Sequence, residues 1–291
     1  MQRSILVTGG SGFLGTRLLG RLAGTSGRVV CLGRRRPAGP AKIGFVSGDL
    51  LDRNACRRAL DDCDTVLHLA SATGRNSRVE YFRVNRGGTQ VILEQAQEAG
   101  IKQFLYVSTI AVKFPNTLHY HYADSKRQAE ALVRESRVNW TIVRPTMIFG
   151  RGSTVQDGLR RLATLPIMPV FGNGLVPVQP VFVDDVADVI AGILEAGGFG
   201  GRTIEIGGPE VLTMGDLLVT MRFAAGVRNT RMIHLPARPI AASLAALEPF
   251  LRPLLPVTAG QLSSFLNSGT AEPDPSISAW RARMRNIKEM L

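Results

Sequence analysis

"SILVTGGSGFLG", residues 4–15, decides the fold. An apolar strand candidate runs directly into Gly9, Gly12 and Gly15, spaced three apart, and the helical pattern "LGTRLLGRLA" follows. Gly10, Gly12 and Gly15 also satisfy G-x-G-x-x-G. Glycines at such a turn permit a tight bend, close approach of the backbone to a pyrophosphate, and packing of helix on strand. The N–H groups opening the helix then face the phosphates. The pattern comes first in the chain, between a strand and a helix, which separates a phosphate-binding turn from an ordinary glycine bend.

Working outward, short apolar runs alternate with longer helical patterns. "RVVCLG", "FVSG" and "TVLHLA" read as strands two to four. A long helix is expected from about Val79 to Ala99, ended by Gly100; "QFLYVST" and "WTIVRP" are strands five and six, with a helix beginning near Tyr122 between them. Continuous Val/Ile/Leu runs separated by helices predict an α/β protein with a doubly wound parallel sheet covered on both faces, a Rossmann fold, with a smaller C-terminal α/β lobe. The boundaries read as 1–150 for the dinucleotide-binding domain and 151–291 for a substrate or partner lobe, with a strand and helix near 180–195 returning to the first. In the second part "TLPIMPVFGNGLVPVQP" reads as a Pro/Gly loop. Asp184 is expected to cap the helix "DDVADVIAGILEA", and Thr213 to open "TMGDLLVTMRFAAG", closed by Gly226. The tail "DPSISAWRARMRNIKEML" spaces Trp280, Met284, Ile287 and Leu291 as one helical face, with Arg281, Arg285 and Lys288 off it. Two readings stand for this basic C-terminal helix: it lies on the body, or it meets a membrane surface or a protein complex.

Hydrophobic residues make up 45% of the 291, which predicts a packed globular chain; the net charge of +12 favours anionic company. The basic residues are scattered and no aromatic stacking platform is evident, which argues against nucleic acid. Cys31, Cys56 and Cys63 form no C-x-x-C pair, pointing to a reducing compartment. With a strand candidate starting at residue 4 and no run of about 18 uncharged apolar residues, a signal peptide and a membrane span are not expected, and the reading is cytoplasmic.

Strand two ends at Gly33, where a carboxylate would hold a ribose 2′-hydroxyl, and Arg34, Arg35 and Arg36 follow. Arginine forks suit a 2′-phosphate, so NADP(H) is favoured over NAD(H). Asp49, after strand three, could accept from the adenine amino group or close a turn. "HYHYADSKRQAE", residues 119–130, places Lys126 one helical turn after Tyr122. A tyrosine with a reference pKa near 10 moves a proton poorly at neutral pH. An ammonium about 4 Å away at an effective dielectric near 20 supplies about 4 kcal/mol toward its ionisation. Tyr120 has Asp124 in the same place, which works the other way. His119 and His121 have no supporting cluster, so no metal is expected.

The marks "TGGSGFLG", "GDLLD", "HLAS", "VNRGGTQ", "FLYVST", "YADSK", "RPTMIFGRG" and "FVDDVAD" occur in that order over roughly residues 4–195. Together they resemble an extended short-chain dehydrogenase/reductase, the NAD-dependent epimerase/dehydratase family. "PVFGNGLVPVQPVFVDDVAD" is similar to the branch containing the NAD(P)H-binding accessory subunit of respiratory complex I and its bacterial relatives. The resemblance implies that Gly9, Gly12, Phe13, Leu14 and Gly15 line the pyrophosphate. It implies that Arg34, with Arg35, meets the 2′-phosphate and that Asp49 and Leu50 frame adenine. Leu69, Ala70, Ser71 and Ser108 would run beside the cofactor, with Asn85 bracing the central strands. Pro145 and Thr146 would lie near nicotinamide. Thr109, Tyr122 and Lys126 match the catalytic Ser/Thr and Y-x-x-x-K. The gap from Thr109 to Tyr122 is shorter than in typical sugar epimerases, which puts nucleotide-sugar recognition in doubt.

Two functions follow. The first is an NADP-dependent oxidoreductase or redox epimerase acting on a small-molecule hydroxyl/carbonyl pair, with Arg151 and Gln179 as substrate contacts by position. The second is a non-catalytic NAD(P)H-binding module serving assembly or a membrane-associated complex. The Val79–Ala99 and Tyr122 helices could pair in a homodimer.

Overall fold

All six apolar runs become strands of one parallel sheet. They are β1 (Ser4–Thr8), β2 (Arg28–Gly33), β3 (Gly44–Ser47), β4 (Thr65–His68), β5 (Gln103–Val107) and β6 (Trp140–Pro145). A seventh strand, Arg202–Ile206, pairs in parallel with β6. The order is β3-β2-β1-β4-β5-β6 and then Arg202–Ile206, so the winding reverses between β1 and β4. In open α/β sheets ligands bind beyond the strand ends at such a reversal. The doubly wound α/β fold is as the sequence predicts. This computed structural model describes residues 3–25, 27–115, 117, 119–251 and 258–291. Among them, no helix is long and apolar enough to cross a membrane.

The chain divides into two compact units. Unit 1 is Met1–Thr109, Ser125–Pro145 and Val183–Ile206; unit 2 is Ile110–Asp124, Thr146–Phe182 and Gly207–Leu291. Unit 1 carries the sheet and the helices α1 (Phe13–Thr25), α2 (Arg53–Leu60), α3 (Arg78–Tyr81) and α4 (Thr89–Glu98). It also holds Val183–Glu195 and all but the first turn of α5 (His121–Glu135). On one sheet face Leu6, Val66, Phe104, Tyr106 and Ile142 pack with Ile92, Ala129 and Val133. Ile5, Val7, Leu67, Leu105 and Val143 alternate with them and are buried as well. Burying each such side chain contributes about 1.5–3 kcal/mol, which is why these strands read as unbroken apolar runs.

Several local expectations change. The helix expected from Val79 to Ala99 is α3 and α4 joined by a wider π-helical stretch, Phe82–Gly88. Leu50 fills the space beside Gly88, where an added Cβ would lie 2.5 Å from Leu50 Cδ2. Asp184 is not a cap: the helix already begins at Val183, and Asp184 lies in its first turn facing Arg21. Thr213 does cap the helix Met214–Ala224, accepting from Asp216 N–H at 3.0 Å.

In unit 2 the expected Pro/Gly loop contains the strand Met168–Phe171, paired in parallel with Met232–Leu235, and the two-residue strand Pro177–Val178. Its core gathers Phe149, Leu159, Met168, Val170, Leu217, Leu218, Leu262 and Phe265. The single amphipathic tail helix is not formed. Residues 275–277 make one 3-10 turn, Ser278–Arg281 one helical turn and Ile287–Met290 another. Asn286 starts that last turn with a capping box to Glu289, and Ile287 and Met290 are buried in the unit 2 core.

Candidate functional site

Local geometry at the first turn explains each glycine separately. Gly9 has φ +74°, and a Cβ there would lie 2.6 Å from Ala70 N. A Cβ on Gly15 would lie 2.3 Å from Gly9 O and 2.8 Å from Gly10 Cα. Backbone fills both places, so neither tolerates a side chain. Gly12 differs: it is exposed, and a Cβ there would meet only Gly9 O, at 3.2 Å. That contact with a backbone oxygen is itself tight, and the exposure of Gly12 leaves its backbone within reach of a phosphate. The turn is closed by Gly12 N–H donating to Gly9 O at 3.0 Å, and α1 carries no acidic residue in its first turn. The residues present therefore fit a dinucleotide pyrophosphate.

A buried polar chain holds the neighbouring segment 69–72 against this turn. Thr8 Oγ1 accepts from Ala70 N–H at 3.3 Å and lies 2.6 Å from His68 Nδ1. His68 Nε2 lies 2.9 Å from Thr89 Oγ1, whose own proton goes to Asn85 O at 2.6 Å. Thr89 can then only accept from His68, which sets the histidine as the Nε2–H tautomer with Thr8 donating to Nδ1. Burial, with the Lys126 charge second, pushes the His68 pKa down to about 3, so the ring is neutral at ordinary pH. Asn85 Oδ1 accepts from Ala72 N–H at 2.7 Å and Ser71 Oγ at 3.0 Å, while its Nδ2 donates to Ser125 Oγ at 2.9 Å. Asn85 is buried and braces rather than lines. Thr8 and Thr89 were not singled out by sequence reasoning; a polar residue inside an apolar strand, as in "SILVT", is the signal that points to such a chain.

At the adenine end the arginines separate. Arg36 donates to Ile43 O at 3.4 Å and covers the Phe45 ring at 5.3 Å, so it supports β3. Arg34 and Arg35 are exposed and make no ion pair among the described residues. Asp49 Oδ1 accepts from Leu51 N–H at 3.0 Å, which fixes the carboxylate in a turn, with Leu50 half-buried beside it.

Helix α5 carries Tyr122, Lys126 and Glu130 at successive four-residue steps, one face of the helix. Tyr122 is half-buried. Lys126 is 1% exposed; its Nζ donates to Val107 O at 2.7 Å and stands 4.2 Å over the Tyr106 ring. Burial lowers the lysine pKa to about 7 against the upward pull of the Glu130 charge. Glu130 bonds Arg144 through two nitrogens, at 2.9 and 2.6 Å. Burial alone would raise the Glu130 pKa, but hydrogen bonds from Arg144 and the charges of Arg144 and Arg134 hold it below the ordinary carboxylate range. Glu130 is the residue missed here, although its i,i+4 step from Lys126 was visible in the sequence. Thr109 and Ser108 follow β5 directly, Thr109 half-buried and Ser108 buried.

In unit 2 the Thr146 hydroxyl bonds Gln179 O. Gln179 is corrected: it is 1% exposed, its Nε2 donates to Gly208 O at 2.6 Å and its Oε1 accepts from Ala271 N–H at 2.9 Å. Both ends of the amide tie three segments together, and its burial keeps it from solvent. Arg151 is exposed between Gly150 and Gly152, both with positive φ.

Residues 5–207 match the model of the NAD dependent epimerase/dehydratase family. The protein y4nG of Sinorhizobium fredii, itself uncharacterized, is 32% identical over 269 residues, covering 84% of this chain and 66% of that protein. A ceramide reductase of Caulobacter vibrioides is 34% identical over 188 residues, covering 63% of this chain and 58% of the reductase. The chain thus spans under two-thirds of either relative's length. The crystal structure of gox2253 shares the fold with a TM-score of 0.76 at 23% identity, covering 99% of this chain and 96% of that one.

Proposed function

Since the chain belongs to the NAD dependent epimerase/dehydratase family, we propose that it is an NADP-dependent oxidoreductase or redox epimerase acting on a hydroxyl/carbonyl pair. The observation that carries this is the first turn, where Gly9 and Gly15 are forced by backbone contact and Gly12 presents its backbone to solvent at the start of α1. The similarity to a ceramide reductase supports a carbonyl or alcohol substrate over a nucleotide sugar. Gly9, Gly12, Phe13, Leu14 and Gly15 hold the pyrophosphate, and the segment 69–72 borders the cofactor. Arg34 and Arg35, exposed and in no close ion pair among the described residues, hold a 2′-phosphate, each by the paired donors of a guanidinium. When bound, the dinucleotide supplies or accepts hydride. Tyr122 gives or takes the proton on the substrate oxygen, Thr109 orients that oxygen, and Lys126 lowers the cost of a phenolate by its charge.

The lysine charge is full only well below pH 7. Carbonyl reduction measured as kcat/KM should therefore decline as pH rises through about 7. Calorimetry should find NADPH bound at least tenfold tighter than NADH, and Arg34→Ser with Arg35→Ser should remove that preference. Tyr122→Phe should lower kcat by about 10²–10⁴ with NADPH affinity kept. Uptake of neither coenzyme by folded protein would overturn the proposal.

One observation favours a second reading. Lys126 is already satisfied by Val107 O and the Tyr106 ring, as a structural lysine would be. In that reading the chain is an NAD(P)H-holding module, akin to the complex I accessory branch it resembles. NADPH binding with no turnover on a panel of keto-lipids, steroids and quinones, unchanged by Tyr122→Phe, would select it.

A further inference from the structure

Five large apolar side chains of unit 2 are exposed in two stretches: Leu165 and Ile167 in one, Phe223, Met232 and Ile233 in the other. They come from two stretches far apart in sequence, yet the structure joins them. Met232 pairs with Met168 and Ile233 with Pro169 across the two parallel strands, and Met168 N–H donates to Arg231 O at 2.9 Å. Arg222, 0% exposed, holds the two connecting loops together. Its guanidinium donates to the carbonyls of Ala163, Leu165, Pro166 and Asn229, and to the Asn229 side chain, with 2.7 Å to Leu165 O. Leu165 and Ile167 are thus presented by a fixed loop, and Phe223 adjoins the arginine that fixes it. Ile167 is 55% exposed and Phe223 50%.

The charges within the two stretches that carry these side chains have one sign. No Asp or Glu occurs in residues 158–182 or 217–247. Arg160 and Arg161 precede Leu165 by one helical turn, and Arg228 and Arg231 flank the other loop; all four are exposed. Asp157 lines a shallow hollow with Arg160, Arg161 and Thr164 and is outnumbered there. Aliphatic and aromatic tips with exposed arginines beside them in sequence match the boundary of an anionic bilayer, where the tips enter the acyl region and the guanidinium groups meet phosphates. A second copy of the same patch would bring like charges together. A nucleic acid would want stacking rings, and only Phe223 offers one.

We propose that this face of unit 2, centred on Ile167 and Ile233, seats the protein on an anionic phospholipid surface. The surface replaces the basic tail helix that the sequence suggested for that role. It rests on unit 2 alone and is independent of the proposed reaction.

The test is flotation of the full chain with vesicles of equal parts phosphatidylcholine and phosphatidylglycerol, against phosphatidylcholine alone. Binding is expected to the first and to fall at least tenfold on the second. Ile167→Glu with Ile233→Glu should also reduce binding at least tenfold, and Arg160→Ser with Arg231→Ser should weaken it and flatten its salt dependence. NADPH affinity of each variant, if the wild type binds it, and its far-ultraviolet circular dichroism report the fold. Ile167→Trp gives a reading that needs no loss: its emission should shift to the blue on phosphatidylglycerol vesicles beyond any change in the wild type. Absence of flotation at low ionic strength would overturn the proposal, whether or not the chain then captures an acidic protein instead. Flotation unaffected by the two isoleucine changes, or an Ile167→Trp spectrum that does not move, would overturn it as well.

Discussion

Arg144 in unit 1 and Arg222 in unit 2 are both withdrawn from water, but only Arg144 meets carboxylates. It lies between Glu130 and Glu205, within 2.6 and 3.3 Å. Arg222 is surrounded by carbonyl oxygens and one asparagine amide. The first arrangement joins rigid elements: α5, β6 and the edge strand Arg202–Ile206. The second ties two loops that have no regular backbone pairing of their own. A carboxylate on a neighbouring strand is available only where register brings it there, as β6 pairs Arg144 with Glu205. Where the backbone is irregular, its unpaired carbonyls are themselves the ligands.

Breaking one partner in each unit gives the largest effects. Removing one side of a buried ion pair costs about 3–5 kcal/mol, because the remaining charge is left uncompensated. Glu130→Ala is expected at the lower end of that range, since Glu205 remains beside Arg144. Arg222→Met leaves several carbonyls without donors, at about 1–3 kcal/mol each before water enters. Urea midpoints should therefore fall in both variants, and acid should separate them. The folded Glu130 pKa is depressed, so its contribution is fully present above about pH 4.5 and is lost as pH falls through the folded value. The gap between wild type and Glu130→Ala should close in acid. The gap to Arg222→Met should not, because carbonyls do not titrate. If both gaps close together, the distinction between the two units is wrong.

Lys126 sharpens the comparison from the other side, since unit 1 also buries a cation to its own disadvantage. Its folded pKa of about 7 lies below the ordinary 10.5, so between these values the unfolded chain binds more protons. Stability should then rise with pH across that window, and the penalty is fully present only below pH 7. Lys126→Met removes the penalty and the bond to Val107 O. After allowing for that lost bond, the variant should be roughly 2–4 kcal/mol more stable at pH 6, with the advantage fading toward pH 10. Thermal unfolding at the two pH values reads this directly. A gain in stability together with lost turnover is the signature of a residue kept for chemistry. A loss at both pH values would mean that the lysine is structural.

The same contrast decides what the sequence made legible. Of the six sheet strands read from the sequence, all but β3, an edge strand with no buried residue, were readable because burial on both faces leaves a continuous apolar run. The edge strand "RTIEI" was not, because it alternates charged and apolar residues as edges do. The first turn was readable because only glycine satisfies its contacts, and α5 because four-residue steps are visible in a string. Burial of Lys126, the pairing of Met168–Phe171 with Met232–Leu235, and the use of Gln179 as a tie were not. Each depends on a partner some 20 to 90 residues away, and a string shows spacing without showing which distant segment returns.

The smallest predicted effects test that limit at two helix starts that looked alike. Thr213 and Asp184 each stand before an amphipathic helix with acidic company, and the sequence offered both as caps. In the fold Thr213 accepts from Asp216 N–H, whereas Asp184 already lies inside its helix and faces Arg17 and Arg21, at 3.9 and 3.3 Å. A lost cap costs about 1 kcal/mol and depends little on salt, because the bond is short-ranged and neutral. A partly exposed ion pair contributes about 0–1 kcal/mol and is screened. Thr213→Ala should therefore lower stability by the same amount in dilute and in molar salt, whereas the smaller cost of Asp184→Ala should vanish in molar salt. A salt-independent loss at Asp184 would restore it as a cap and with it the simpler reading of the sequence.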